Sequence, residues 1–124
     1  MSSEFILELK VLFGFGKWYK VFDSYHDAVT HIPNNKSILV HLGKTEICLA
    51  RNETIITAFL NECPHNQMPL NRGFFNEKKE WICPYHRHCF NVSNGDNLTM
   101  PETGKLKLFQ IKISKNGLYV YKDN

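Results

Sequence analysis

At 124 residues, with 43% hydrophobic and 13% aromatic side chains, the chain has room for about one domain with a real core. Its 15 Lys and Arg are scattered among 12 Asp and Glu, so the net charge of +3 forms no basic block for nucleic acid or a membrane surface. No run approaches the roughly 18 apolar residues that cross a bilayer. The start is interrupted by Glu4, Glu8, Lys10 and Lys17 and has no basic leader or small-residue cleavage site, so the expected compartment is the cytoplasm.

In chain order, the first dozen residues fit either a helical face through Phe5, Leu9, Leu12 and Phe13 or a strand, until Gly14 and Gly16 break the pattern. Trp18–Phe22 is a strand of aromatic and β-branched residues. Ser24 followed by Asp27 is a weak capping box opening a short helix through about Thr30, and Pro33-Asn34-Asn35 turns the chain. Ser37–Leu42 alternates through Ile38, Val40 and Leu42, Gly43-Lys44 turns, and Glu46–Ala50 and Thr54–Leu60 are further strands. Gly73–Phe75 and Glu80–Ile82 flank a polar run and pattern as a hairpin. Lys107–Ser114 alternates as one strand, Asn116-Gly117 is a hairpin turn and Leu118–Tyr121 returns. The fold class expected is all-β and antiparallel, with one or two short helices.

Between the strands at 60 and 106 the chemistry concentrates. Cys63-Pro64-His65 is followed, 17 residues on, by Cys83-Pro84-Tyr85-His86, so each half offers one thiol and one imidazole with proline directly after its cysteine. Proline fixes φ and removes an N–H, stiffening both loops. The hairpin between them returns the chain to its start, which sets the two loops side by side. Two thiolates and two imidazoles suit a tetrahedral zinc or an iron–sulfur cluster. Zinc fingers usually group the sulfurs in one loop and the imidazoles in another. The order Cys, His, Cys, His instead matches a [2Fe–2S] centre with both cysteines on one iron and both histidines on the other. Polar residues with no metal are the third reading.

The pattern Cys-x-His, 15 to 17 residues, Cys-x-x-His resembles the signature of Rieske iron–sulfur proteins. Pro69, Leu70 and Gly73 stand where Rieske ferredoxins commonly carry those residues, as do Phe90 and Gly95 after the second loop, and Met100-Pro101 fits the family's cover loop. The resemblance implies a Rieske-type antiparallel β-sandwich or barrel, a single domain over 1–124 with a cluster-binding subdomain at about 61–104. It also implies a [2Fe–2S] cluster on Cys63, His65, Cys83 and His86. Gln67 and Arg87 occupy places where many members have glycine. Met68 and Tyr85 replace the extra cysteines of cytochrome bc-type members, and His88 and Phe90 replace the Ser and Tyr that hydrogen-bond their sulfurs. These departures point to the low-potential, ferredoxin-like branch.

The function implied is a soluble carrier of one electron between a reductase and an oxygenase or other acceptor, with redox proteins as partners and no nucleic acid, membrane or small-molecule substrate. A non-catalytic role within a dioxygenase-type system is favoured over an enzyme. The alternatives are a redox-sensing or structural cluster module, or the small subunit of a larger oxidoreductase such as a dioxygenase or nitrite reductase. Among other residues, Cys48 is expected as a small buried apolar group, Cys89 as a non-ligand, and His26, His31, His41 and His88 as surface residues. Trp81 and Tyr85 are expected to shield the cluster.

Overall fold

The alternation that marks the strands also dictates which side chains they bury, and the computed structural model, which describes residues 18–123, follows it closely. The elements are β1 (Trp18–Phe22), α1 (Tyr25–His31), β2 (Ser37–Leu42), β3 (Thr45–Asn52), β4 (Ile55–Leu60), β5 (Phe74–Phe75), β6 (Trp81–Ile82) and β7 (Cys89–Phe90). A 3₁₀ turn (Pro101–Thr103), β8 (Leu108–Phe109), β9 (Ile111–Ser114) and β10 (Gly117–Tyr121) complete them. The ambiguous first dozen residues lie outside the described part. Among the described residues no helix is long and apolar enough to cross a membrane.

The strands pair antiparallel in three sheets, ordered β1-β10-β9, β2-β3-β4-β8 and β5-β6-β7. The expected all-β antiparallel class is therefore what forms, and each sheet is open. Helix α1 starts where the capping box placed it: Asp27 N donates to Ser24 Oγ at 3.0 Å, meeting one of the orphan N–H groups of a first turn. Gly43, at φ 67°, supplies the left-handed residue in the tight turn between β2 and β3.

Strand β3 reads Ile47-Cys48-Leu49-Ala50 without polar alternation because both its faces are covered. Ile47 and Leu49 pack with Val40, Ile56, Leu118 and Val120 in one core, under α1. Cys48 and Ala50 face the other way, into a second core with Phe59, Leu70, Phe75, Trp81 and Phe90. That second core joins the large sheet to the small one and carries both thiols of the metal-ligand pattern. Trp81 is its centre: fully buried, it lies 5.3 Å from the Phe59 ring and 4.9 Å from the Phe75 ring, and its Nε1 donates to the Leu70 carbonyl at 3.0 Å.

One strand expectation needs correction. Lys107–Ser114 is not a single strand but two, which belong to different sheets. β8 pairs with β4 through Ala58↔Phe109 and Phe59↔Leu108, whereas β9 pairs with β10 through Ile111↔Val120. The chain crosses over at Gln110, whose carbonyl accepts from Tyr121 N at 2.9 Å. A run that changes sheet keeps its period-two pattern, so alternation alone cannot mark the crossing.

Candidate metal centre

The first ligand loop runs from β4 of the large sheet to β5 of the small one, the second joins β6 to β7 within the small sheet, and β5 and β6, paired Phe74↔Ile82, bring the two loops together. Their backbones close identically. In the first, Cys63 N donates to Met68 O at 2.8 Å and Gln67 N donates to Cys63 O at 2.7 Å. In the second, Cys83 N donates to His88 O at 2.9 Å and Arg87 N donates to Cys83 O at 3.0 Å. The closing residue of each turn is left-handed, with φ 61° at Gln67 and 59° at Arg87. These are the two positions where glycine is the family's habit, and here an L-residue holds the same shape.

The first loop is also fastened from below. Asn61 Oδ1 accepts from Leu70 N at 2.7 Å and Asn71 N at 2.8 Å, and the Cys48 thiol donates to it at 3.3 Å. Gly73 is required by close approach: a methyl there would overlap the Ile82 carbonyl oxygen and crowd the Trp81 indole. The turn after Met100 lies against the first loop, with Pro64 Cβ 3.9 Å from where a side chain on Gly104 would begin. This is the position expected of a cover loop.

All four residues singled out by spacing come together. Cys63 and Cys83 are fully buried, His65 is half-buried and His86 is exposed. The His65 and His86 rings meet edge to face, centroids 5.3 Å apart at 84°. Burial pushes the Cys63 thiol above its ordinary range and nearby Cys83 adds to the rise, while the backbone N–H groups of His65 and Asn66 hydrogen-bond its sulfur and pull the other way. A buried thiol with N–H donors already aimed at its sulfur is a poor acid and a good metal ligand, since a bound metal replaces the proton.

The imidazoles pass the same test. Nδ1 of His65 is buried with no hydrogen-bond partner, a costly condition for a polar atom unless something else takes its lone pair. Nδ1 of His86 meets the Asn66 amide at 2.6 Å, a lone pair that a metal can use in the amide's place. Two sulfurs inside and two imidazoles toward the surface suit two irons with two protein ligands each, which is the donor set of a [2Fe–2S] cluster.

Other expectations divide. Cys48 is buried as expected, and desolvation raises its thiol far above the usual range. Cys89 is half-buried, its thiol turned to the Arg87 carbonyl at 3.8 Å; His26, His31 and His41 are exposed. Trp81 is fully buried in the same core as the two cysteines, whereas Tyr85 stands 48% exposed at the loop tip. His88 corrects the surface reading: it is only 4% exposed, its ring centroid 4.3 Å from that of His65. Burial, then the nearby His65 and His86, hold His88 below the usual histidine range, against an opposite pull from Glu102. Its burial was readable from Phe90, two residues on and facing the core, because period-two alternation puts 88 and 90 on one face. Asn61, Asn66 and Asn97 carry no comparable sequence signal.

Comparison with known proteins follows the geometry. A model described as "Rieske [2Fe-2S] domain" matches residues 17–110. The chain is 34% identical over 101 residues to Apoptosis-inducing factor 3 of Homo sapiens, covering 79% of this chain but 16% of that protein. The corresponding protein of Mus musculus is 33% identical over 87 residues and is covered to 14%, so the chain spans only a small part of these relatives. It is also 33% identical over 86 residues to the ferredoxin component of the naphthalene 1,2-dioxygenase system of Pseudomonas aeruginosa, covering 69% of this chain and 82% of that one. Among solved structures, the ferredoxin of carbazole 1,9a-dioxygenase from Nocardioides aromaticivorans IC177 superposes with a TM-score of 0.68 at 19% identity, over 77% of this chain and 92% of that one. A chain from the complex of reduced oxygenase and oxidized ferredoxin in carbazole 1,9a-dioxygenase gives 0.69 at 23% identity, over 85% and 93%. At these identities the structural likeness speaks for the fold.

Proposed function

Since this chain belongs to the Rieske [2Fe–2S] domain family, whose members bind a [2Fe–2S] cluster, we propose that it is a one-electron carrier whose cluster sits on Cys63, His65, Cys83 and His86. When bound, the cluster supplies a one-electron redox centre, which in histidine-ligated form works at roughly −150 to +300 mV. The chain does the rest. Cys63 and Cys83 contribute two negative charges in the buried half of the site, screened from water by Trp81 and Phe59. His65 and His86 are neutral ligands at its outer edge, and the exposed His86 gives an electron the shortest way to a docked protein. Two stiff loops closed by matching hydrogen bonds keep the ligands in place in either oxidation state.

The observation that carries this reading is the repeated loop: the same backbone closure, 20 residues apart, sets two buried sulfurs beside two imidazoles. The finer role is a ferredoxin, passing electrons from a reductase to an oxygenase or other acceptor in the cytoplasm, with redox proteins rather than nucleic acid, membrane or small molecules as partners. The dioxygenase-system ferredoxin among its relatives, matched over 82% of its length, supports that role over a subunit of a larger enzyme. We read the chain as one domain with its cluster-binding part at about 61–104.

The test is anaerobic reconstitution followed by dithionite reduction. Two irons and two acid-labile sulfides per chain, with the low average g value of a mixed histidine–thiolate cluster, are expected. A colourless, EPR-silent protein holding stoichiometric zinc refutes the assignment. Reductase-driven reduction of a cytochrome acceptor then tests the carrier role, and a loaded protein that no reductase reduces refutes it.

A further inference from the structure

The third histidine of the site, His88, has no part in the four-ligand pattern, yet it is more buried than either imidazole in it. Its ring lies against His65 with centroids 4.3 Å apart and planes tilted by 35°. The His86 ring stands edge-on to His65 at 5.3 Å. An imidazole is otherwise nearly free to flip about its last torsion and exchange its two nitrogens. Packed against two rings that also neighbour each other, with centroids 6.4 Å apart, His65 loses that freedom.

His88 is itself held. The Asn97 amide contacts its Nδ1 at 3.0 Å, and Asn97 is 2% exposed. Which end of that amide faces the ring follows from its other partners. Asn97 Oδ1 accepts from the backbone N–H groups of Thr99, at 2.9 Å, and Met100, at 2.8 Å. Backbone N–H groups only donate, so the oxygen must point to them and the NH₂ to His88. Nδ1 of His88 is therefore the acceptor, and the ring is neutral with its proton on Nε2. The same NH₂ donates to Thr103 Oγ1 at 2.9 Å, so one side chain joins the cover turn to His88.

We propose that His88 is a positioning residue for His65: keyed by Asn97, its ring fixes the orientation in which His65 is presented to the cluster. The inference rests on His65 being a ligand, as proposed above. Groups that orient metal-bound histidines typically cost 10–100-fold in metal affinity or activity when removed. Asn97 reaches His65 through His88, and the same amide ties the cover turn to the site.

The test uses the full chain, reconstituted, with the midpoint potential and the histidine ¹⁴N hyperfine couplings of the reduced cluster as readouts. His88→Ala removes the ring. His88→Gln, which keeps an acceptor within reach of the Asn97 amide but no ring, is the milder variant should the first not fold. Either loaded variant is expected to shift the one-electron equilibrium about tenfold, or about 59 mV, with altered hyperfine couplings. Loss of cluster from a variant with wild-type circular dichroism is the same effect at its limit. Adding Asn97→Ser to His88→Gln is expected to shift the potential by less than the sum of the two single shifts, because the two share the route through the His88 ring. Wild-type potential and couplings in a loaded His88→Gln protein, or a fully additive double variant, overturn the proposal. Failure of the cluster assignment reads differently: it shows in the wild-type protein, as the absence of the mixed-ligand spectrum.

Discussion

Replacing Arg87 or Gln67 by glycine should stabilise the protein, and alanine at either place should not. Both residues close a ligand turn with φ near +60°, at 59° and 61°. An L-residue in that conformation is disfavoured by roughly 1–2 kcal/mol, because Cβ crowds the following carbonyl. Glycine removes the clash but gives the unfolded chain about 0.5–1 kcal/mol of extra conformational freedom. The net gain expected is about 0.5–1 kcal/mol at each site. Both side chains are exposed, so little packing is lost with them. With an unfolding entropy of about 2.1 cal/mol/K per residue, a chain of 124 residues should melt roughly 2–4 °C higher for each substitution. Arg87→Ala and Gln67→Ala keep the clash and should stay within ~0.5 kcal/mol of wild type. Urea titrations and thermal melts of the cluster-free and cluster-loaded chains, with the m-value checked for constancy, measure this directly. If the glycine variants melt below the alanine variants in both forms, strain at the turns is not what these positions carry.

The fastening of the first loop gives a second expectation. Asn61→Ala leaves the Leu70 and Asn71 N–H groups without their acceptor, at a cost of about 2–3 kcal/mol for the pair, while Asn61→Asp keeps an acceptor oxygen and should lose less; hydrogen exchange at the Leu70 amide checks that the loss is local. Gly73→Ala forces a methyl into the Ile82 carbonyl and Trp81, and should destabilise by about 1–3 kcal/mol as an overpacked site, read as a lower urea midpoint. Cys48 bears on pH. The folded state holds its proton far above the ordinary thiol range, while the unfolded chain releases it near pH 8.5. Its contribution is therefore complete below that pH and declines as pH rises further. Cys48→Ala should flatten the alkaline fall in stability, and native Cys48 should resist alkylation under conditions that label the half-buried Cys89.

Much of this fold is local physics and was legible as such. The capped helix after Ser24 and the β2–β3 hairpin depend on neighbours a few residues away, and each formed where the pattern placed it. The two Cys-Pro loops were legible for a different reason. Metal chemistry demands particular donors at tight spacing, and few other constraints write Cys and His that way. What stayed hidden depends on partners far along the chain. Gln110, where one alternating run leaves β4 for β10, looks like any strand residue because both sheets ask for the same period. Asn61 and Asn97 are ordinary polar residues until backbone N–H groups 9–10 and 2–3 positions away converge on their oxygens.

The four proposed ligands were singled out by the sequence alone, because donor type and spacing survive any detail of packing, while the choice of a [2Fe–2S] cluster over zinc came from the family the pattern resembles. The structure decided which donors lie deep and which reach the surface: Cys63 and Cys83 are buried in the Trp81 core while His86 faces out. It also moved His88 from the surface to the flank of His65. Burial of the thiols is set by the whole second core closing over β3, which no window of neighbouring residues contains, whereas for His88 the one local sign was Phe90, two residues on.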